Sequence, residues 1–352
     1  LEVRANNCAI KKLTIANFNG FGISTWPPTG DPVTGLLITG NKIGNMVWPY
    51  IVDKPNLGGI KLWHTASSVI GGDTIADSNV IAGNTAYGIY LLDSAMNVVK
   101  GNYIGVKDDG ITALPNSTGV YVSNSTGNTI GGSTAGRRNV ISGNTSNGIF
   151  IIGNENVVQG NYIGTDISGT MALANGNTGV RIGNSGPVIS SGNIVGGSGV
   201  GEGNVISGNA WAGVDVVNSD LTTIRGNTIG LNASQTAALP NYFGITLGSS
   251  LNNFIGGTTA GAGNMIAGNT RQGIFVGENC VNTSIRANFI GVSSSGQALG
   301  NGMDGIVVQY AMETNIGGIN DPYENTIAHN GGNGIEIESA YAKVMGNKIY
   351  GN

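Results

Sequence analysis

Charged residues are scarce in this chain: Asp, Glu, Lys and Arg make up only 10% of its 352 residues, and the net charge is −4. The basic residues form two short pairs, Lys11-Lys12 and Arg137-Arg138, and no basic stripe. Proteins that bind nucleic acids or anionic membranes concentrate Lys and Arg on one surface. The composition therefore predicts neither a nucleic-acid partner nor an anionic membrane partner.

Histidine and cysteine are rarer still, with two residues of each. His64 and His329 lie in distant parts of the chain, which argues against a histidine-based catalytic dyad or a zinc site. Cys8 and Cys280 lie nine turns apart in the repeat described below, or about 43 Å at the usual strand spacing. They are too far apart for a disulfide. We predict no metal site and no cofactor.

Long apolar runs are also absent. No stretch approaches the roughly 18 apolar residues of a membrane-spanning helix, and the first residues do not form a signal peptide. We therefore predict no membrane span and expect the sequence to begin inside a processed or trimmed protein. The low charge and the many Asn, Ser, Thr and Gly residues favour an extracellular or cell-surface location.

Glycine, in contrast, is abundant at 61 residues, and the chain is organised by two repeated signatures. One is a Gly followed by aliphatic residues at alternate positions, in steps that mostly alternate between 31 and 29 residues. It begins at Gly22, Gly59, Gly88, Gly119, Gly148, Gly179, Gly213, Gly244, Gly273, Gly305 and Gly334. The other is Asn-x-Ile, at Asn41, Asn79, Asn102, Asn139, Asn161, Asn204, Asn227, Asn264, Asn288, Asn325 and Asn347. A recurring period predicts stacked repeats that share one core.

Each repeat is predicted to contain short strands, because aliphatic residues recur at every second position and glycine is too frequent for helices. Each turn then supplies one strand to each of about three parallel sheets, with right-handed connections. The prediction is an all-β fold, a right-handed single-stranded parallel β-helix of about 11–12 turns. Residues 1–352 form one domain, with irregular turns over 1–63 and regular two-turn super-repeats over 64–352. Trp48 to Leu57 is one of the irregular segments.

Several phrases resemble a known family. They are Asn139 to Asn144 (NVISGN), Gly160 to Asp166 (GNYIGTD) and Asn264 to Asn269 (NMIAGN). They are similar to right-handed parallel β-helix repeats of the pectate-lyase-like superfamily, and more narrowly to Gly/Asn/Ile-rich arrays of large secreted or surface proteins of bacteria and archaea. The resemblance covers nearly the whole chain and implies the fold. It leaves function open, because this scaffold carries lyases, hydrolases, epimerases, adhesins and phage spikes.

The enzyme motifs of related proteins are missing. The chain has no Asn-Thr-Asp, Gly-His-Gly or Arg-Ile-Lys, as polygalacturonases have, and no Asp-Pro-His, as alginate epimerases have. The Asn-x-Ile column is better explained by structure, because asparagines stacked at one place in successive turns can exchange amide hydrogen bonds along the axis.

The second position after each signature Gly is predicted to face outward. In three successive turns it carries an aromatic residue, and an arginine and an aspartate follow in the next two turns. Such a flat aromatic strip beside an ion pair suits a sugar-binding groove, although the rings could instead simply pack on one another. The candidate carbohydrate-binding residues are Trp63, Tyr90, Tyr121, Phe150, Arg181 and Asp215.

Carboxylates are sparse on this predicted face. Glycoside hydrolysis needs two of them about 5 to 9.5 Å apart. β-Elimination of uronates needs a base together with a cation facing the substrate carboxylate. Asp215 beside Arg181 is the only central pair, and these two residues are the catalytic candidates. A purely structural ion pair is the alternative for them.

Two functions remain open on this sequence. The first is an extracellular structural or adhesive β-solenoid: a surface stalk, adhesin segment or filament subunit, able to associate end to end or to continue into further repeats. The alternative is a polysaccharide-active enzyme (a lyase or glycoside hydrolase) or a carbohydrate-binding module. It would use an extracellular polysaccharide as its partner on the outward face near Tyr90 to Asp215.

Overall fold

The computed structural model describes residues 1–27, 30–44, 55–319 and 322–352. Over these residues the chain winds through three parallel sheets, and each strand pairs with the equivalent strand of the preceding and following turns. The only helical elements in the described ranges are two short 3₁₀ turns, Ile75–Asp77 and Ala135–Arg137. The fold is a right-handed parallel β-helix, as the sequence predicted.

Sheet 1 contains the strands that follow the signature glycines. Its successive strands are Glu2–Val3, Phe21–Thr25, Gly58–Trp63, Tyr87–Leu92, Thr118–Thr126, Ile149–Asn154, Val180–Ile182, Ala212–Val217, Phe243–Gly248, Ile274–Val276, Ile306–Gln309 and Ile335–Glu338. Two short strands, Ser190–Ser191 and Ser219–Asp220, extend it at one edge. Val33–Thr34 and Thr65–Ala66 pair separately as a two-stranded ribbon.

Sheets 2 and 3 follow sheet 1 within each turn. Sheet 2 consists of Ala9–Lys11, Leu37–Thr39, Val69–Gly71, Val98–Lys100, Thr129–Gly131, Val157–Gln159, Ile194–Gly196, Thr223–Arg225, Phe254–Gly256, Ser284–Arg286, Thr314–Gly317 and Ala342–Met345. Sheet 3 consists of Thr14–Ile15, Lys42–Gly44, Val80–Ala82, Tyr103–Ile104, Val140–Ile141, Tyr162–Ile163, Val205–Ile206, Thr228–Ile229, Met265–Ile266, Phe289–Ile290, Thr326–Ala328 and Lys348–Tyr350.

One hydrophobic core runs along the inside of the three sheets. The first and third residues after the signature Gly are buried in every turn except the last, where Ile337 is 44% exposed; Ile60, Leu62 and Ile89 are fully buried. Cys280 belongs to the same core, and Cys8 packs against it. Both cysteines are free thiols. Alternation along the strands therefore assigns the inward side chains to the core, as expected for period-two patterning.

The Asn-x-Ile column forms the predicted amide ladder. Each side-chain amide donates to the side-chain oxygen of the asparagine in the next turn, at 2.8–3.0 Å throughout. Asn161 illustrates the pattern: its oxygen accepts from Asn139, and its amide donates to Asn204 and to the backbone oxygens of Ile130 and Gln159. The buried amides are thus satisfied by one another and by the backbone.

A second asparagine ladder lies at the corner between sheets 3 and 1, and the sequence analysis missed it. It links Asn56, Asn84, Asn116, Asn144, Asn175, Asn209, Asn241, Asn269, Asn301, Asn330 and Asn352 at 2.8–3.2 Å. From Asn56 to Asn330 its members recur every 28–34 residues, which is a more even spacing than the 22–43 residues of the first ladder. The available signal was an Asn that ends both the Ala-Leu-x-Asn and the Ile-x-Gly-Asn phrases.

The signature glycines are explained by the close approach of the next turn and of this second ladder: a Cβ atom on Gly148 would lie 2.7 Å from the backbone oxygen of Gly179. The same atom would lie 2.8 Å from the Asn175 amide nitrogen and 2.9 Å from a methyl group of Ile163. The same clash would arise at Gly119, where the Asn144 amide nitrogen would be 3.0 Å away. Glycine is therefore required because the backbone approaches the next turn and the ladder closely.

The N-terminal part is described less completely. Most of the predicted irregular segment Trp48 to Leu57, together with residues 28–29, lies outside the described residues. The division into irregular turns over 1–63 and regular super-repeats over 64–352 stays a prediction. The described part of the chain contains no helix with the length and apolar character needed to traverse a bilayer.

Candidate functional site

The outward column of sheet 1 brings the predicted site residues into one line. Parallel pairing aligns Tyr90 with Tyr121, and Tyr121 with Phe150. It then aligns Phe150 with Arg181, and Arg181 with Asp215. Because paired strands lie about 4.8 Å apart, these side chains follow one another at that interval along the helix axis.

The three aromatic residues of this column form a stack, which we call the aromatic strip (Tyr90, Tyr121 and Phe150). The ring centroids of Tyr90 and Tyr121 are 5.0 Å apart at 18°, and those of Tyr121 and Phe150 are 5.2 Å apart at 26°. Tyr87 packs against both tyrosines at 5.0 and 5.1 Å. Each ring of the strip is half-buried, so part of the stack remains open to solvent.

Burial also affects the hydroxyl group of Tyr90. Desolvation raises the pKa of the Tyr90 hydroxyl, and the neighbouring Tyr121 and Tyr87 add to the effect, whereas a hydrogen bond with Ser123 opposes it. Tyr90 therefore stays protonated across the physiological pH range. A neutral phenol can both donate and accept a hydrogen bond.

A cation marks the N-terminal end of the aromatic strip. The Lys61 ammonium nitrogen lies 5.7 Å from the ring centroids of Tyr90 and Trp63, and 5.9 Å from that of Phe21. Trp63 is held in place because its indole nitrogen donates to the Asp93 carboxylate at 3.2 Å. Trp63, predicted as a binding residue, thus lies beside the strip and shares a cation with it.

The other end of the strip leads to the predicted ion pair. The Arg181 guanidinium carbon lies 5.7 Å from the Phe150 centroid, and its Nη1 atom lies 3.6 Å from Asp215 Oδ2. Asp215 Oδ1 accepts a hydrogen bond from the Thr246 hydroxyl at 2.7 Å. At 3.6 Å the two charged groups attract each other without a hydrogen bond between them. The Arg181 Nε atom is buried and has no hydrogen-bond partner within the described ranges.

Asp215 is less accessible than its outward position in the pattern suggested. The residue is only 8% exposed, whereas the Arg181 side chain is 28% exposed. Burial raises the pKa of the Asp215 carboxyl, and the Thr246 hydrogen bond and the Arg181 charge oppose that rise. A carboxyl group with a raised pKa beside a cation is a recognised sign of acid–base function, although structural pairs share it.

A further group of aromatic residues begins in the turn of Asp215 and continues through the next two turns, and we call it the second aromatic cluster (Trp211, Tyr242, Phe243 and Phe275). Trp211 stacks on Tyr242 at 5.3 Å and 23°, and its ring edge meets Phe243 at 5.1 Å. Phe243 and Phe275 lie 6.4 Å apart. The Arg271 guanidinium lies 5.5 Å from the Tyr242 centroid, and its Nη1 atom donates to the Tyr242 hydroxyl at 3.1 Å.

Apart from Phe275, which stands two positions after Gly273, the residues of this cluster were not predicted, because they precede the signature glycines. Trp211, Tyr242 and Arg271 each stand two residues before a signature Gly, in three successive turns. That spacing was the signal that could have found them. No group of three or more His, Cys, Asp or Glu side chains that could hold a metal ion occurs among the described residues.

Comparison with known proteins agrees with this architecture. A family model described as periplasmic copper-binding protein (NosD) matches residues 59–137. No curated protein sequence matches the chain significantly.

The solved structures that are similar to the chain over most of its length include two epimerases. The periplasmic alginate epimerase AlgG is similar with a TM-score of 0.59 at 16% identity, over 93% of this chain and 70% of that chain. The A-module of the mannuronan C-5 epimerase AlgE6 of Azotobacter vinelandii has a TM-score of 0.56 at 14% identity, over 100% of this chain and 91% of that chain. At these identities the likeness concerns the fold alone. On its sheets, core and structural relatives, this chain is a right-handed parallel β-helix protein.

Proposed function

We propose that this protein binds an acidic polysaccharide along the outward face of sheet 1 and acts on it at Arg181 and Asp215. The observation that carries the proposal is the unbroken line from the aromatic strip to this ion pair, one residue per turn. This surface favours the polysaccharide-active alternative over a purely structural stalk, which would need no such surface.

The aromatic strip supplies the apolar part of the recognition. Sugar rings present C–H faces that pack on aromatic rings, and aromatic side chains offer a large contact area at a low entropic cost. From Trp63 to Asp215 the line crosses five strand intervals, or about 24 Å. An extended polymer lying along the helix axis can therefore contact the aromatic strip and the ion pair simultaneously.

The charges favour an acidic polymer. Lys61 and Arg181 lie at the two ends of the aromatic strip, although the whole chain has a net charge of −4. A guanidinium group can bind a carboxylate through two parallel hydrogen bonds. Arg181 is therefore the residue we propose to contact a uronate carboxylate.

The chemistry proposed at this point is proton abstraction. When Arg181 neutralises the uronate carboxylate, the proton on the adjacent ring carbon becomes easier to remove. Asp215, as the neighbouring carboxylate, is the candidate base. Such a step leads to elimination or epimerisation. Hydrolysis is less well supported, because the nearest other carboxylate predicted on this face is that of Glu278. It lies two strand intervals, or about 10 Å, from Asp215 along the axis and three positions further along its own turn, so the two carboxylates are more than about 9.5 Å apart.

One observation favours a second candidate, a carbohydrate-binding module without chemistry. Asp215 is only 8% exposed, so its carboxylate has little direct access to a bound sugar. In this alternative Asp215 orients Arg181, and the surface binds the polymer without altering it. The same binding residues serve both candidates.

Copper binding, which the matched family model names, is not supported by the side chains present. Copper sites are built from imidazole, thiolate and thioether groups. Residues 59–137 contain one histidine, one methionine and no cysteine. The imidazole of His64 is hydrogen-bonded to the backbone oxygen of Gly30 at 2.8 Å. For location we propose a secreted or periplasmic protein, since NosD and AlgG are both described as periplasmic.

Incubation with a panel of uronate polymers in heavy water tests the chemical proposal. Elimination produces unsaturated ends that absorb ultraviolet light, and reversible proton abstraction introduces deuterium at the reacting carbon. We expect one of these signals with the parent protein and neither with Asp215→Asn or Arg181→Gln. Retention of the polymer without either signal would favour the binding module. If neither signal appeared and the polymer was not retained, the proposed function would be refuted.

A further inference from the structure

We propose that Trp211, Tyr242 and Arg271 form a second polysaccharide subsite, so that one acidic chain spans the Arg181–Asp215 pair from both sides. This inference rests on the proposed function of sheet 1. It assigns a binding role to residues outside the outward column, at the corner where each turn enters sheet 1.

The outward column of sheet 1 continues beyond the ion pair, because Asp215 pairs with Thr246, and Thr246 pairs with Phe275. From Tyr90 to Phe275 the column crosses six strand intervals, or about 29 Å. Aromatic rings therefore occur on both sides of the ion pair along one surface.

The second argument is the geometry of the cluster. Phe275 contacts Phe243, Phe243 contacts Trp211, and Trp211 stacks on Tyr242. The near-parallel stack of Trp211 and Tyr242 resembles that of Tyr121 and Phe150, with centroids 5.3 and 5.2 Å apart. Stacked rings whose spacing follows the strand repeat thus occur in the column and at the corner beside it, where Trp211 belongs to the turn of Asp215 and Tyr242 to the next turn. A regular polymer can therefore meet the two surfaces in the same register.

Exposure is the third argument. Trp211 is 43% exposed, although it belongs to a packed aromatic group. Tyr242 and Arg271 are half-buried. A large indole that is fixed by its neighbours and open on one side loses little conformational freedom when a ligand packs on it. This arrangement suits a binding platform.

The fourth argument concerns the ligand class. The Arg271 guanidinium lies within 5.6 Å of the centroids of both Tyr242 and Phe243, and the Tyr242 hydroxyl fixes its orientation. Each aromatic surface is thus paired with a cation, Lys61 at the first and Arg271 at the second. Alternation of rings and cations along one path matches a polymer that presents both sugar faces and carboxylates.

The test compares uronate oligosaccharides of increasing length by calorimetry, using the full chain and four variants. For the parent, affinity should rise with length until both surfaces are covered. For Trp211→Ala, the longest ligand should bind about tenfold more weakly, as expected when a central aromatic contact is truncated. The increase in affinity from short to long oligosaccharides should also be smaller for this variant than for the parent. Arg271→Gln, which keeps the aromatic packing, should weaken binding less and reduce its dependence on salt.

Phe254→Ala is the matched control, since Phe254 is 44% exposed but lies on sheet 2. It should bind like the parent. If Tyr121→Ala weakened binding while Trp211→Ala and Arg271→Gln left both affinity and its length dependence unchanged, the second subsite would be wrong and the proposed function would stand. If the parent bound no uronate ligand, the proposed function would fail and the subsite with it. Circular dichroism of each variant confirms that it is folded.

Discussion

The carboxylate of Asp215 and the guanidinium of Arg181 lie 3.6 Å apart in neighbouring strands of sheet 1. The Asp215 carboxylate is nearly buried, and this burial is the largest influence on its pKa. Buried ion pairs often cost more in lost hydration than their attraction returns. Stability is therefore not a sufficient reason for this pair, and its position at the end of an aromatic strip suggests a functional one.

The first prediction concerns the pH dependence that this carboxyl group contributes. The pKa of Asp215 is raised in the folded protein above the ordinary value of 3.8, so the folded state binds this proton more tightly than the unfolded state. The resulting contribution to stability is present at low pH and is lost as the pH rises from 3.8 through the folded pKa. Asn cannot ionise, so Asp215→Asn should become more stable relative to the parent as the pH increases over that range. Thermal unfolding of both proteins from pH 3 to pH 7 measures the difference. A difference in melting temperature that does not change with pH would contradict it.

The second prediction concerns the first asparagine ladder. Replacing Asn161 with Leu removes the side-chain bonds to Asn139 and Asn204 and leaves buried groups without partners. The free energy of unfolding should fall by about 1 to 3 kcal/mol. Ser294→Ala, in an exposed loop, should change it little. Urea unfolding of the three proteins measures this, and equal midpoints for Asn161→Leu and the parent would show that the ladder does not stabilise the fold.

The third prediction separates the two thiols. Cys280 is fully buried, and burial raises its thiol pKa to about 11, whereas Cys8 is partly exposed. Alkylation requires an accessible thiolate. At mildly alkaline pH an alkylating reagent should modify Cys8 in the native protein and reach Cys280 only after unfolding. Peptide mass spectrometry before and after denaturation gives the answer; rapid native modification of Cys280 would contradict its place in the core.

The fold could be predicted from the sequence because the same pattern recurs in every turn, so the pattern of one turn supports the assignment of the others. The alternation after Gly148 or Gly88 fixes which side chains enter the core, and parallel stacking then fixes the register. The order of Tyr90, Tyr121 and Phe150 follows directly from that register. The stacking of their rings could therefore be predicted without coordinates.

Other features depended on packing that the repeat does not encode. The pattern assigned Asp215 to the outer face, but its low exposure results from its surroundings in three dimensions. Trp211 and Tyr242 lie in the corner before sheet 1, at a position whose residue type varies from turn to turn, so only its fixed distance from the signature Gly could have indicated them. The second ladder, which includes Asn175 and Asn209, was missed because its asparagines end two different phrases and no single motif marks them.

The central claim is that the aromatic strip binds an acidic polysaccharide, and affinity electrophoresis through gels containing alginate or polygalacturonate tests it most directly. The parent should be retarded by at least one of these polymers, and added salt should reduce the retardation because Lys61 and Arg181 contribute to it. Tyr121→Ala and Phe150→Ala should each migrate faster than the parent in the polymer gel while keeping its far-ultraviolet circular dichroism. Phe254→Ala, on sheet 2, should migrate like the parent. Equal retardation of the parent and both strip variants would contradict the account.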